Sequence, residues 1–156
     1  MRKSFGFTLI ELMVTIAVLA IVISIAIPSF STVLLNNRVS TTAHAVQSSI
    51  QVARSEAVKR KKTVTLCRAN SALDECEDGI DWNSGWLLVL GSEVLRVWQP
   101  SSGLTVTGPE KGIDFLGNGM IRAPGKVSVK GQGRTDGAAV DFTRGGSVKL
   151  GRNNDK

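Results

Sequence analysis

One carboxylate, Glu11, lies inside an otherwise charge-free apolar run from Phe7 to Ile27. That run is 21 residues long, and at about 1.5 Å per helical residue it crosses a bilayer core of about 30 Å. An unpaired acid at bilayer depth costs about 2.5–3.5 kcal/mol on insertion scales. Glu11 therefore calls for a partner and a role. Arg2 and Lys3 precede the run in a leader of only six residues. A secretory signal is cut behind its apolar segment, after small residues. Here the attractive cut is ahead of it, after Gly6, so the apolar segment stays on the mature chain. The rival reading is a signal anchor with Glu11 idle near the interface, but an acid in a membrane helix is functional by default.

The stretch Gly6-Phe7-Thr8-Leu9-Ile10-Glu11 resembles the processing site of type IV prepilins. The resemblance implies cleavage by a prepilin peptidase between Gly6 and Phe7, N-methylation of Phe7, and an assembly role for Glu11 at the fifth mature position. In pilins that carboxylate is thought to pair with the N-terminal amine of a neighbouring subunit. Physics agrees, because a buried charge is tolerated when an opposite charge meets it.

The organisation follows: leader 1–6, apolar membrane and assembly helix 7–37, head 38–156. The head has 119 residues, an ordinary single-domain size with room for a core. Arg2 and Lys3 put the N-terminus in the cytoplasm and the head in the periplasm. The protein is expected in the inner membrane first and in a surface pilus later. Its two cysteines, Cys67 and Cys76, enclose an acidic eight-residue loop. In an oxidising compartment a disulfide is the favoured reading, contributing about 2–3 kcal/mol by loop closure. A zinc site would need a second Cys or His pair, and His44 is the only histidine.

Past Pro28 the pattern stays helical. Val39, Ala43, Val46, Ile50, Ala53 and Ala57 form a stripe spaced by fours and threes, suited to packing on a sheet. The helix is expected to reach about Lys61, with a kink near Pro28. Short β-type runs follow: Thr63–Cys67, Trp86–Leu90, Val94–Trp98, Leu104–Thr107, Ile113–Leu116, Lys126–Lys130, Ala139–Phe142 and Val148–Leu150. Glycines at 91, 117, 119, 145 and 146 punctuate them. The expected fold class is α+β, pilin-like, with one long N-terminal helix packed on an antiparallel β-rich head.

Ala53-Arg54-Ser55-Glu56-Ala57-Val58-Lys59-Arg60, Val64-Thr65-Leu66-Cys67, Trp82-Asn83-Ser84-Gly85-Trp86 and Ile113-Asp114-Phe115 with Gly119 are similar to the FimT/FimU/GspH group of minor pilins and pseudopilins. The likeness is strong along the helix and fades after Ala123. The cysteine pair and C-terminal tail lean toward the FimT-like pilus branch. A type II secretion pseudopilin is the alternative. The implied partners are other pilins, the peptidase and the inner-membrane assembly machinery.

Charge is segregated along the chain. Residues 38–62 carry a net +5, 66–100 a net −4, and 121–156 a net +5. A basic C-terminal region beside an acidic loop is a polarised surface, suited to the phosphates of DNA or to an acidic face on another pilin. Some FimT-like proteins bind DNA during natural transformation through a flexible segment carrying Gly-Arg-x-Arg. The nearest match here, Gly146-Ser147-Val148-Lys149, lacks both arginines, although Arg144 and Arg152 flank it. Arg144, Lys149 and Arg152 are the candidate contacts to double-stranded DNA. No aromatic lies beyond Phe142, so binding would be sequence-independent and salt-sensitive rather than through stacked bases.

Lys59-Arg60-Lys61-Lys62 suits a helix C-terminus. The loop Asp74–Asp81 resembles a calcium loop, but Cys76 and Gly85 stand where oxygen ligands are needed. Trp82, Trp86 and Trp98 read as packing residues. No catalytic motif, metal site or cofactor is expected.

Overall fold

The computed structural model describes residues 7–154. One helix, α1 (Leu9–Arg60), is followed by eight strands: β1 (Val64–Arg68), β2 (Trp86–Leu90), β3 (Glu93–Trp98), β4 (Leu104–Thr107), β5 (Ile113–Phe115), β6 (Gly125–Gly131), β7 (Asp136–Phe142) and β8 (Val148–Asn154). Each expected run is a strand, and the α+β class with an antiparallel head holds. The helix assignment is unbroken across position 28. The chain divides into two compact units, Met1–Leu35 and Asn36–Lys156.

The helix ends where its sequence stops supporting it. Lys61 turns to φ 53°, and its N–H donates to the Val58 carbonyl while the Lys62 N–H donates to that of Ala57. These two bonds are the Schellman pattern, which satisfies the last carbonyls. Lys59 and Arg60 occupy the final turn, where cations meet the negative end of the helix.

Within the second unit the strands form two four-stranded sheets, ordered β3-β2-β1-β5 and β4-β6-β7-β8. Every pairing is antiparallel. The helical stripe is part of the core: Ala43, Val46, Ile50, Ala53 and Ala57 are buried, as are Leu66, Trp86, Leu88, Phe115, Val106, Val127 and Val140 on the strands. Among the described residues, polar ties join helix to head. The Trp86 indole N–H donates to the Ser49 hydroxyl at 3.0 Å, Arg54 donates to the Gly146 carbonyl, Arg38 to that of Ser102, and Arg134 to the Asn36 amide oxygen.

The first sheet is covered on both faces, which explains the continuous apolar run of β2. Leu66 and Leu88 pair on one face, Cys67 and Leu87 on the other. That second face forms a satellite core of Cys67, Ala69, Leu87 and Val89, roofed by Leu73 and Val94. Leu73 comes from the loop closed by the two cysteines and Val94 from β3.

Candidate functional site

Three features bear the sequence-derived expectations: the start of α1, the cysteine-closed loop, and the β7–β8 hairpin. At the start of α1, the Thr8 hydroxyl accepts a hydrogen bond from the Glu11 N–H at 3.3 Å. The Leu12 N–H donates to the Thr8 carbonyl at 3.2 Å. Thr8-x-x-Glu11 is thus an N-terminal cap, with Glu11 at the third helical position, where a carboxylate also complements the helix dipole. The Thr-x-x-Glu spacing announces this second role for Glu11. The Glu11 side chain is exposed. Phe7 is 79% exposed, and large apolar side chains from Leu9 to Ile23 lie open on every face. Gly6 falls outside the described residues.

Among the described residues no helix is long and apolar enough to cross a membrane. The described side chains of α1 at this end run from Leu9 to Ser24, about 24 Å of helix at 1.5 Å per residue. The expected span of 7–27 includes side chains at 25–27 that lie outside the described set.

Cys67 and Cys76 are disulfide-bonded with their Cα atoms 5.6 Å apart. Backbone pairing closes the same loop: the Asn70 N–H donates to the Glu75 carbonyl and the Glu77 N–H to that of Arg68, each at 3.0 Å. Arg68 braces it further, with its guanidinium 3.1 Å from the Glu77 carboxylate and 3.2 Å from the Asp78 carbonyl. Asp74, Glu75, Glu77, Asp78 and Asp81 all lie exposed. Both sulfurs are committed to each other, so the loop is a braced acidic surface.

The basic hairpin is ordered. Arg144 sits in the turn between β7 and β8. Its carbonyl accepts from the Ile121 N–H at 2.9 Å, and the turn is closed by Gly146 N–H to Thr143 O and Thr143 N–H to Ser147 O. Gly146 has φ 80°. A side chain there would also displace the Arg54 guanidinium, 2.7 Å from its Cβ position, but that flexible group can shift, so the positive φ is what favours glycine. Lys149 and Arg152 stand on β8, which pairs along its whole length with β7. Because side chains alternate along a strand, these two point to opposite faces. Lys149 is across from Asp141, which is also across from Lys126. Arg152 instead lines a cavity of about 500 Å³ with Asn36, Val39, Arg134 and Leu150. The expected trio is therefore split between two faces, and it lies on a turn and an edge strand where the family resemblance implied a flexible tail.

Arg134 and Asp136 form a two-bond pair, Nε to Oδ1 at 2.8 Å and Nη2 to Oδ2 at 2.7 Å. The Arg134 hydrogen bond holds the Asp136 carboxyl below its ordinary range. Likewise Arg60 donates to Glu56 at 2.7 Å and lowers that carboxyl. Two further features were not foreseen. One is the Arg54 tie to the hairpin. The other is a groove of about 510 Å³ between α1 and that turn, lined by Ile50, Gln51, Arg54, Ser55, Val58, Lys59, Gly146 and Val148. Trp82 and Trp86 are fully buried, as packing residues should be. His44 is exposed.

A long N-terminal helix whose first half is openly apolar, leading into an antiparallel two-sheet head, defines a protein of the pilin class. The prokaryotic N-terminal methylation motif matches residues 1–27, and the family described as type II transport protein GspH matches residues 42–146. The chain belongs to the GspH family of minor type IV pilins and pseudopilins. Its fold is similar to that of the type IV minor pilin FimU of Pseudomonas aeruginosa, with TM-score 0.62 and 21% identity over 76% of this chain and 92% of that one. It is also similar to the minor pseudopilin EpsH of the Vibrio cholerae type 2 secretion system, with TM-score 0.52 and 12% identity over 76% and 99%. No curated protein sequence matches the chain.

Proposed function

We propose that this chain is a minor subunit of a type IV pilus. A peptidase removes residues 1–6 between Gly6 and Phe7, Phe7 is methylated, and residues 7–37 hold the precursor in the inner membrane as a single pass. The head, residues 38–156, faces the periplasm. Assembly then moves the subunit into the fibre, at the tip or priming complex, where it supports pilus biogenesis and twitching. The observation that carries this reading is the apolar half of α1, open on every face. A helix that is hydrophobic all round must be buried by something else, and lipid followed by neighbouring pilin helices supplies that burial in succession. Glu11 would meet the amine of a neighbouring Phe7 there.

The test separates assembly from capping. Glu11→Gln keeps a side chain that can reach the cap but removes the charge; Thr8→Val removes the cap and keeps the charge. With Glu11 as the assembly partner, the Gln variant inserts normally and is depleted from sheared fibres, and Thr8→Val incorporates better than it does. Equal incorporation of wild type and Glu11→Gln overturns the reading. An unchanged mature mass when Gly6 is replaced by a bulky residue counts against the processing site.

Binding of double-stranded DNA for natural transformation is the second part of the proposal. It is supported by exposed Arg144 in a clamped turn and by Lys149 beside it in sequence on β8. The GspH family match favours a rival, a type II secretion pseudopilin. Deletion decides between them: loss of pili and twitching, loss of transformation with pili intact, or loss of exoprotein secretion.

A further inference from the structure

Ile50, Val58 and Val148 give the groove beside α1 an apolar floor and wall. Ile50 is buried, whereas Val58 is 48% exposed and Met120 is 45% exposed. The Gly119 turn bridges the last two: its Cβ position lies 3.0 Å from Val58 Cγ2, and Met120 follows in sequence. Apolar surface therefore extends from the groove toward the Met120 turn. Its charge is all of one sign. Arg54 and Lys59 line it, and among the described residues no carboxylate does. Arg54 donates one N–H to the Gly146 carbonyl at 3.1 Å and keeps further donors for a ligand. Glu56, three residues before Lys59, is already held by Arg60 at 2.7 Å. Arg144, two residues before Gly146, adds a third exposed cation.

Nucleic acid has no use for such a floor. Phosphates need only positive charge, and unpaired bases stack on aromatic rings, none of which lines the groove. The occupant must bury aliphatic side chains and bring negative charge. At about 510 Å³ the groove holds a few side chains of a short segment. We propose that it seats another pilin, different in sequence from this chain, through an extended segment that carries an apolar side chain between carboxylates. The apolar side chain lies over Ile50 and Val58, and the carboxylates meet Lys59 and Arg54. The proposal rests on the reading of this chain as a minor subunit, whose neighbours are other pilins. A contact between unlike subunits is made once and does not propagate, unlike a head-to-tail contact between identical copies. That suits a tip or priming complex. Subunits held in one fibre meet at high effective concentration, so a small contact suffices.

The test uses the full chain in the cells that produce it, with a small diazirine amino acid replacing Ser55 in the groove or Met120 at its rim, both exposed positions. Fibres are sheared off after illumination, and blotting reads incorporation of the chain separately from cross-linking. The expected product joins the chain to another pilin, at a segment where mass spectrometry finds an apolar residue flanked by Asp or Glu. Lys59→Glu and Val58→Ser should each lower its yield about fivefold, the scale of one exposed ion pair or one part-buried aliphatic group. Replacing the partner's carboxylate by Lys should restore the Lys59→Glu yield. A product with a second copy of this chain, with DNA, or with a segment lacking carboxylates overturns the docking. So does a failed rescue, a yield indifferent to both substitutions, or a chain present in fibres without any product. Absence of the chain from fibres sinks the subunit reading and the docking with it.

Discussion

Trp86 donates its indole N–H to the Ser49 hydroxyl at 3.0 Å, and the same hydroxyl donates to the Val46 carbonyl at 2.8 Å. Both residues are fully buried. One small polar side chain on the helical stripe thus lets the first sheet seat a tryptophan directly against α1. A buried indole N–H usually finds such a partner; that of Trp82, also fully buried, has none among the described residues.

Ser49→Ala removes that acceptor and leaves the donor orphaned, a loss of about 1–3 kcal/mol. The melting temperature of the protein should fall by roughly 4–12 °C. Adding Trp86→Phe should cost less in the alanine background than in the wild type, because the two residues share one bond. Independent, additive losses would refute the coupling.

The disulfide makes an asymmetric prediction, since Cys67 is buried in the satellite core and Cys76 is exposed. Replacing both by alanine should cost about 2–3 kcal/mol through loop closure. Serine in place of alanine should make no difference at 76. At 67 it should cost about 1–3 kcal/mol more, because a hydroxyl enters an apolar cluster without a partner. Denaturant midpoints of the four combinations check the ordering.

Much of this architecture was legible because local signals agreed. The stripe from Ala43 to Ala57 gave the helix, and β-branched runs between glycines gave all eight strands. The division into two sheets was not legible, because it depends on pairings distant in sequence, such as Val64 with Phe115 and Val106 with Val129. The ends of β7 and β8 escaped for another reason. Asp136-Gly137 and Gly151–Asn154 have poor strand propensity, and their cross-strand pairing overrides it. Once β8 reaches Asn154, the three-residue step from Lys149 to Arg152 dictates opposite faces. The Arg54 tie and the groove beside it have no local signature, since they join residues 92 positions apart.

Arg134 and Asp136 contribute to the pH dependence, as do Arg60 and Glu56. The Asp136 carboxyl is held below its ordinary value near 3.8 chiefly by the Arg134 hydrogen bond; burial opposes this, and the Arg134 charge adds a smaller lowering effect. A lowered folded-state value means the pair contributes stability above that ordinary value and loses it as pH falls through the folded one. Arg134→Gln should therefore narrow the gap between pH 7 and acid stability. In a carbon-detected titration the Asp136 midpoint should rise toward 3.8. An unmoved midpoint would show that the pair is not formed in solution.

The geometry of the hairpin sharpens the DNA proposal into a residue-by-residue expectation. Phosphate contacts release counterions, so each lost cation should reduce the slope of log affinity against log salt by about one. Arg144 projects from a turn clamped by Ile121 and Gly146, and Lys149 lies on the outer face of β8. Arg152 points the other way, toward the cavity with Arg134. A duplex lying along the outer face can meet the first two together and not the third. Arg144→Gln and Lys149→Gln should each weaken binding and flatten the salt slope, while Arg152→Gln should leave both nearly unchanged. Arg54→Gln should act indirectly, loosening the turn that presents Arg144 and lowering affinity with little change in slope. Equal effects at 144, 149 and 152 would mean that the strand peels away and binds as a flexible basic tail. No binding at low salt would leave the hairpin to a protein partner.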